Sequence, residues 1–242
     1  MTTHLQPRSA GSTSGLRRVK KQTVTDDVEG QLRDAILAGQ LAPGESLAEA
    51  QLASQLGVSR ASIRQAKFQL AQEGLLEFDS RGTAFVRALT EDDIREILEF
   101  REVLDVAAIR LACSRLTDEV VRSLEQRIEA IRQETDLLQL THRDVDFHEV
   151  IIQAAGNSRL LSAWRLLRPQ LVLLLAELHR QHMVIFQKTQ TITAASHQEL
   201  VQALQSGDIA TCEELARRHA YGLKRSLDEA RRSPPTQPAP PS

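Results

Sequence analysis

In the stretch DVDFH, Asp144 and His148 stand four positions apart. A helix turns about 100° per residue, so the two side chains lie about 40° apart on one face. Leu140, Ile151 and Ala155 fall on the same stripe, so the acid and the imidazole point inward. Two further histidines share this habit: His197 lies on a face with Leu200, Val201 and Leu204, and His219 on one with Leu215, Leu223 and Leu227. Taken singly, each is an ordinary core histidine. Three on separate helices, joined by an inward carboxylate, suit a first-row divalent metal, and helical bundles build such sites from facing helices. His179 and His182 line a cavity or face water and are left out of the set.

The elements that must position these residues are helical. From Thr90 onward the apolar spacing predicts helices to about 116 and over 118–134, 136–155, 158–182, 188–206 and 208–232, with a bend at Pro169. Thr90 with Asp93 makes a capping-box start. Upstream the pattern changes. Thr25 is placed to cap a helix with an acidic first turn that Gly39 ends, and a second helix covers 47–56 up to Gly57. Ser59 caps a third that runs to Gly74. LLEFD and TAFVRAL flank the turn SRG and read as a hairpin. Three short helices and a hairpin describe a winged helix-turn-helix. The fold class is therefore mainly α: an N-terminal winged helix-turn-helix followed by an all-helical bundle.

The division expected is a basic disordered arm over 1–22, a DNA-binding domain over 23–89, a helical domain with the candidate metal residues over 90–232, and a disordered proline-rich tail over 233–242. A chain of 242 residues with 41% apolar and 3% aromatic residues can bury two modest, helix-rich cores. Residues 1–88 hold 11 Lys/Arg against 9 Asp/Glu, a net of +2, while the remainder holds 19 against 23, a net of −4. That asymmetry favours a nucleic-acid partner for the N-terminal part. Cys113 and Cys212 form neither a CxxC site nor a disulfide framework, which fits a reducing compartment. The most apolar run, LVLLLAEL at 171–178, is too short to span a bilayer, and no signal core opens the chain. A cytoplasmic protein is expected.

The run LRDAILAGQLAPGESLAEAQLASQLGVSRASIRQAKFQLAQEGLLE, 32–77, resembles the reading head of the GntR family of bacterial transcription regulators. The resemblance implies that Arg60 and Arg64 of the recognition helix, with Ser59 at its cap and Arg81 and Gly82 at the wing tip, contact a palindromic double-stranded operator as a homodimer. Three positions depart from the family pattern. Ala50 stands where an arginine is frequent, Ala61-Ser62 replaces Thr-Pro, and Lys67 replaces a core leucine, with its stem expected to snorkel.

DVDFHEVIIQAAGNSRL, SHQELVQALQSGD and RRHAYGL resemble the ligand-domain signatures of the FadR-like subfamily. In its metal-binding members one Asp and three His hold the ion, which implies Asp144, His148, His197 and His219 as ligands for zinc, nickel or manganese. Arg101, in EFREVLD, matches the subfamily's R-x-x-LE with Asp105 for the glutamate; it meets a small carboxylate effector or pairs with Asp105 at i+4. The expected function is a ligand-responsive repressor, not an enzyme and not a membrane protein. Two alternatives stand beside it. A metal-dependent hydrolase on a DNA-binding head lacks a partnered base, since Glu149 points off the ligand stripe, and a metal-free acyl-CoA sensor gives the four ligand-type residues no purpose.

Overall fold

The computed structural model describes residues 24–181 and 189–232. The arm at 1–22, the tail at 233–242, His182 and the side chain of His179 lie outside the described residues. Helix α1 spans Val24–Leu37 and buries the expected stripe of Val28, Leu32 and Ile36. It is already helical at Val24, so Thr25 sits within the first turn and not ahead of it. Helices α2, Glu49–Leu56, and α3, Arg60–Gln72, are joined at Gly57, whose φ of 66° is the left-handed conformation that glycine adopts without cost. Ser59 Oγ accepts the Ser62 backbone N–H at 3.1 Å and so caps α3.

Strands β1, Leu76–Phe78, and β2, Ala84–Val86, pair antiparallel with Leu76 opposite Val86. The segment after the Pro-Gly turn joins them, with Leu47 N–H on Ala84 O and Val86 N–H on Glu45 O. Lys67 corrects the sequence reading. Its residue is 2% exposed, and Nζ donates to Leu47 O at 2.9 Å with Glu49 at 3.8 Å. The ammonium reaches a buried carbonyl and a carboxylate before it reaches water, so it does not snorkel.

The remaining helices are α4 Glu91–Cys113, α5 Asp118–Gln133, α6 Leu137–Ala154, α7 Ser158–Gln181, α8 Thr189–Ser206 and α9 Ile209–Arg232. Thr90 opens α4 with a full capping box: its Oγ1 accepts from Asp93 N–H at 3.1 Å, and Asp93 Oδ2 accepts from Thr90 N–H at 2.9 Å. No helix among the described residues is long and apolar enough to cross a membrane. The run Leu171–Ala176 is buried on every side because α7 packs against α4, α6 and α1. Each such leucine contributes about 1.5–3 kcal/mol of transfer free energy. The reading head meets the bundle at α7, where the Gln170 side chain lies so close to Gly74 that a Cβ there would stand 2.7 Å from Gln170 Cδ.

Candidate metal centre and DNA-reading face

Helix α6 supplies Asp144 and His148, α8 supplies His197 and α9 supplies His219; one ligand atom from each lies within 4.8 Å of all the others. Four residues from three helices, separated by as many as 75 positions, thus reach one point. His148 and His219 face each other through Nε2 at 3.1 Å. His197 Nε2 lies 3.2 Å from Asp144 Oδ1, and its ring stacks on Phe147 with centroids 3.9 Å apart. The phenylalanine between the acid and the histidine of DVDFH is therefore the wall that holds the third ligand.

Arg101 enters from α4. It is 1% exposed, and Nη2 stands 2.8 Å from His148 Nε2 while Nε donates to Asp105 Oδ2 at 3.3 Å. A guanidinium only donates, so His148 Nε2 is the acceptor and its proton resides on Nδ1, which faces Asp105 Oδ1 at 3.4 Å. His219 Nε2 lies 3.1 Å from the same His148 Nε2, and its Nδ1 is hydrogen-bonded to Ser196 Oγ at 2.7 Å. One arginine thus sets the His148 tautomer.

Burial pushes His197 and His219 below the ordinary histidine range, with the neighbouring imidazoles and Arg101 adding to the effect. Burial alone would raise Asp144 and Asp105. It is overridden at Asp144 by His197, His148 and Arg101, and at Asp105 by His148 and Arg101, so both carboxyls titrate below the usual range. With these two imidazoles neutral, two carboxylates face one guanidinium, which favours an added cation. Neither nitrogen of His197 has a hydrogen-bond partner although both are buried; the Asp144 contact is close but off-line. An orphaned buried imidazole beside a carboxylate and two further imidazole nitrogens fits a divalent ion. His148 and His219 of the cluster, with Asp105, Ile109, Leu200 and Ala216, line a cavity of about 10 Å³, near the size of one water.

On the head, Arg60 stands exposed at the first position of α3. Arg64 forks onto Glu49 of α2, with Nε to Oε1 at 3.1 Å and Nη2 to Oε2 at 2.8 Å. At the wing, Asp79 Oδ1 accepts the N–H groups of Arg81 and Thr83 at 2.9 and 2.8 Å and shapes the turn that carries Arg81 and Gly82.

Residues 24–86 match the family described as "Bacterial regulatory proteins, gntR family", and residues 96–221 match the FCD domain. The chain belongs to the GntR family of regulators with an FCD domain. It is 30% identical over 205 residues to a protein of Paenarthrobacter nicotinovorans named "Probable D-xylose utilization operon transcriptional repressor", covering 84% of this chain and 88% of that one. It is 34% identical over 134 residues to the HTH-type transcriptional regulator YdhC of Bacillus subtilis, covering 54% of this chain and 60% of the relative. The fold is that of E. coli McbR/YncC, with a TM-score of 0.68 at 21% identity over 86% of this chain and 99% of that chain. The GntR family regulates transcription, so the hydrolase alternative falls away.

In this GntR-family chain the structure brings Asp144, His148, His197, His219 and Arg101 into one cluster and leaves Ser59, Arg60, Arg64, Arg81 and Gly82 on the head. Of the two sequence readings of Arg101 the structure shows the i+4 pair with Asp105, and it also brings Nη2 to His148 of the cluster. Asp105 as the partner of His148 was legible only as that i+4 pair. Ser196 behind His219 and Glu49 behind Arg64 had no sequence signal, because each contact crosses between helices. Cys113 and Cys212, 99 positions apart, place their sulfurs 3.7 Å from each other as free thiols.

Proposed function

We propose that the chain is a homodimeric repressor whose reading head, 23–89, binds a palindromic operator and whose sensor, 90–232, holds one divalent ion and a small carboxylate effector. Asp144, His148, His197 and His219 would hold the ion, with zinc the leading candidate and nickel or manganese next. The single observation that carries the reading is the convergence of four ligand atoms from three helices with a buried guanidinium in contact. The bound ion supplies a Lewis-acidic anchor for one end of a carboxylate. Arg101 turns its fork from His148 to that carboxylate, and Asp105 keeps the guanidinium charge in place. This draws α4 toward α6, α8 and α9, and α4 begins directly after the wing, so the spacing of the two heads changes.

Dimerisation is supported by α4 and α7, which carry Phe100, Val103 and Leu166 at 44%, 63% and 66% exposure. One recognition helix reads only a few base pairs, so two heads are needed for a useful site. The acyl-CoA alternative gives the clustered Asp144, His148, His197 and His219 no purpose.

The test is a thermal-shift screen of small hydroxy- and dicarboxylic acids on metal-loaded and chelator-treated protein, followed by operator binding. A ligand that stabilises the loaded form more, and lowers operator affinity, is expected. A carboxylate that stabilises both forms equally would make the ion structural only.

A further inference from the structure

On the outer side of α6, away from the histidines, a second cluster of charge lines an open cleft of about 430 Å³. Arg127 of α5 and Arg165 and Arg168 of α7 face Asp146 and Glu149 of α6 across it. Arg168 is the best paired, with Nη2 2.6 Å from Asp146 Oδ1 and Nε 3.3 Å from Glu149 Oε2. Arg127 approaches Asp146 only to 3.9 Å, and Arg165 approaches Glu149 only to 4.0 Å. The Nε–H groups of Arg127 and Arg168 are buried without a hydrogen-bond acceptor. Three guanidiniums against two carboxylates leave one positive charge unmatched, and neither buried Nε–H makes a hydrogen bond, Arg168 Nε meeting Glu149 Oε2 at 3.3 Å off-line. Both deficits are of the kind that one bound oxyanion removes.

We propose that this cleft binds a phosphoryl group, as inorganic phosphate or as the phosphate of a small metabolite. The arginines come from two helices, α5 and α7, that both pack on α6, so their donors reach the cleft from different elements. A tetrahedral phosphoryl group presents three or more acceptor oxygens in different directions, whereas a carboxylate presents two in a single plane. The cleft is far larger than the ion, which leaves room for an organic body. Its position gives the site consequences at both ends of the molecule. Asp146 lies between Asp144 and His148 on the metal helix. Arg168 lies two residues before Gln170, the side chain that packs against Gly74 of the head. A phosphate that draws Arg168 off Asp146 therefore acts beside both the metal helix and the contact between sensor and head. This site does not depend on the metal reading.

The experiment is isothermal titration of inorganic phosphate, glucose 6-phosphate and, for contrast, succinate at constant ionic strength set with chloride. The proteins are wild type, an Arg127→Ala/Arg165→Ala double variant, an Arg60→Ala/Arg64→Ala head variant and His148→Ala. The side chains of Arg127 and Arg165 are 40% and 62% exposed, so their removal leaves the core intact, which circular dichroism and the thermal midpoint verify. Saturable binding of about one phosphate per chain is expected in wild type, in the head variant and in His148→Ala. At least ten-fold weaker binding is expected in the Arg127/Arg165 variant. Tighter glucose 6-phosphate would assign the cleft to an organic phosphate, and equal affinity would assign it to the phosphoryl group alone. Non-saturable phosphate binding, binding undiminished in the Arg127/Arg165 variant, binding lost with His148 or with the head arginines, or succinate binding as tightly as phosphate would each overturn the proposal.

Discussion

Arg101 Nη2 lies 2.8 Å from His148 Nε2 and so holds the lone pair of a residue in the candidate metal cluster. The guanidinium thus balances Asp105 and Asp144 when no ion is bound. Arg101→Met should leave two buried carboxylates without their fixed cation, a loss of about 3–5 kcal/mol for a broken buried pair. The thermal midpoint of metal-free protein should fall by about ten degrees at a size near 240 residues. Added divalent metal should restore part of it, because the ion replaces the missing charge, while stabilisation by carboxylates should be weaker than in wild type. A midpoint that metal leaves unmoved would separate Arg101 from the centre.

The reading face gives a second expectation. Arg60→Ala and Arg64→Ala should each weaken binding to a selected operator by about 1–3 kcal/mol, or roughly 5- to 150-fold, with little change in thermal stability. Because Glu49 holds the Arg64 fork on two oxygens, Glu49→Gln should lower discrimination between operator and random DNA more than it lowers overall affinity. Gel shifts showing wild-type affinity in both arginine variants would remove α3 from the interface.

The capping box at the start of α4 makes a pH prediction. The Thr90 hydrogen bonds, with help from Arg87, hold the Asp93 carboxyl below its usual value of 3.8. A carboxyl depressed in the folded state adds stability that is present above the unfolded value and is lost as pH falls through the folded one. Thr90→Ala should cost about 1 kcal/mol at neutral pH. In denaturant titrations the gap between variant and wild type should narrow below about pH 3.8, where protonation weakens the cap in both proteins. A gap that widens on acidification would contradict this account.

The two thiols are in contact yet shielded. Cys212 is fully buried, and burial first, then the neighbouring Cys113, pushes its thiol up to about 12. Since thiolate is the reactive form, an aromatic disulfide reagent at pH 8 should label neither cysteine quickly in the native protein and both after denaturation. Rapid native labelling would show that the ends of α4 and α9 open readily.

The helices and the clustered Asp and His residues were legible in the sequence for one reason: the core of a helical bundle writes itself as a stripe, and a polar residue on a stripe is conspicuous. Asp144, His148, His197 and His219 each broke such a stripe. What stayed hidden were contacts between stripes. Nothing in local spacing states that Ser196 stands behind His219, that Glu49 grips Arg64, or that Cys113 meets Cys212. Those pairings follow from how α8, α9, α2, α3 and α4 cross. Lys67 was read from its type, as a residue that seeks water, and the Leu47 carbonyl beside it decided otherwise. The i+4 pairing of Arg101 with Asp105 was legible, but only the packing of α4 on α6 carries that pair inward to His148.

The central claim is that Asp144, His148, His197 and His219 hold one divalent ion, and elemental analysis of purified protein tests it most directly. Wild type should carry close to one ion per chain. His148→Ala and His219→Ala, purified alongside it and checked for native helicity, should carry less than about a tenth of that, since each variant removes one of four ligands. Full occupancy in both variants, or no divalent metal in wild type even after incubation with zinc, nickel and manganese, would contradict the account.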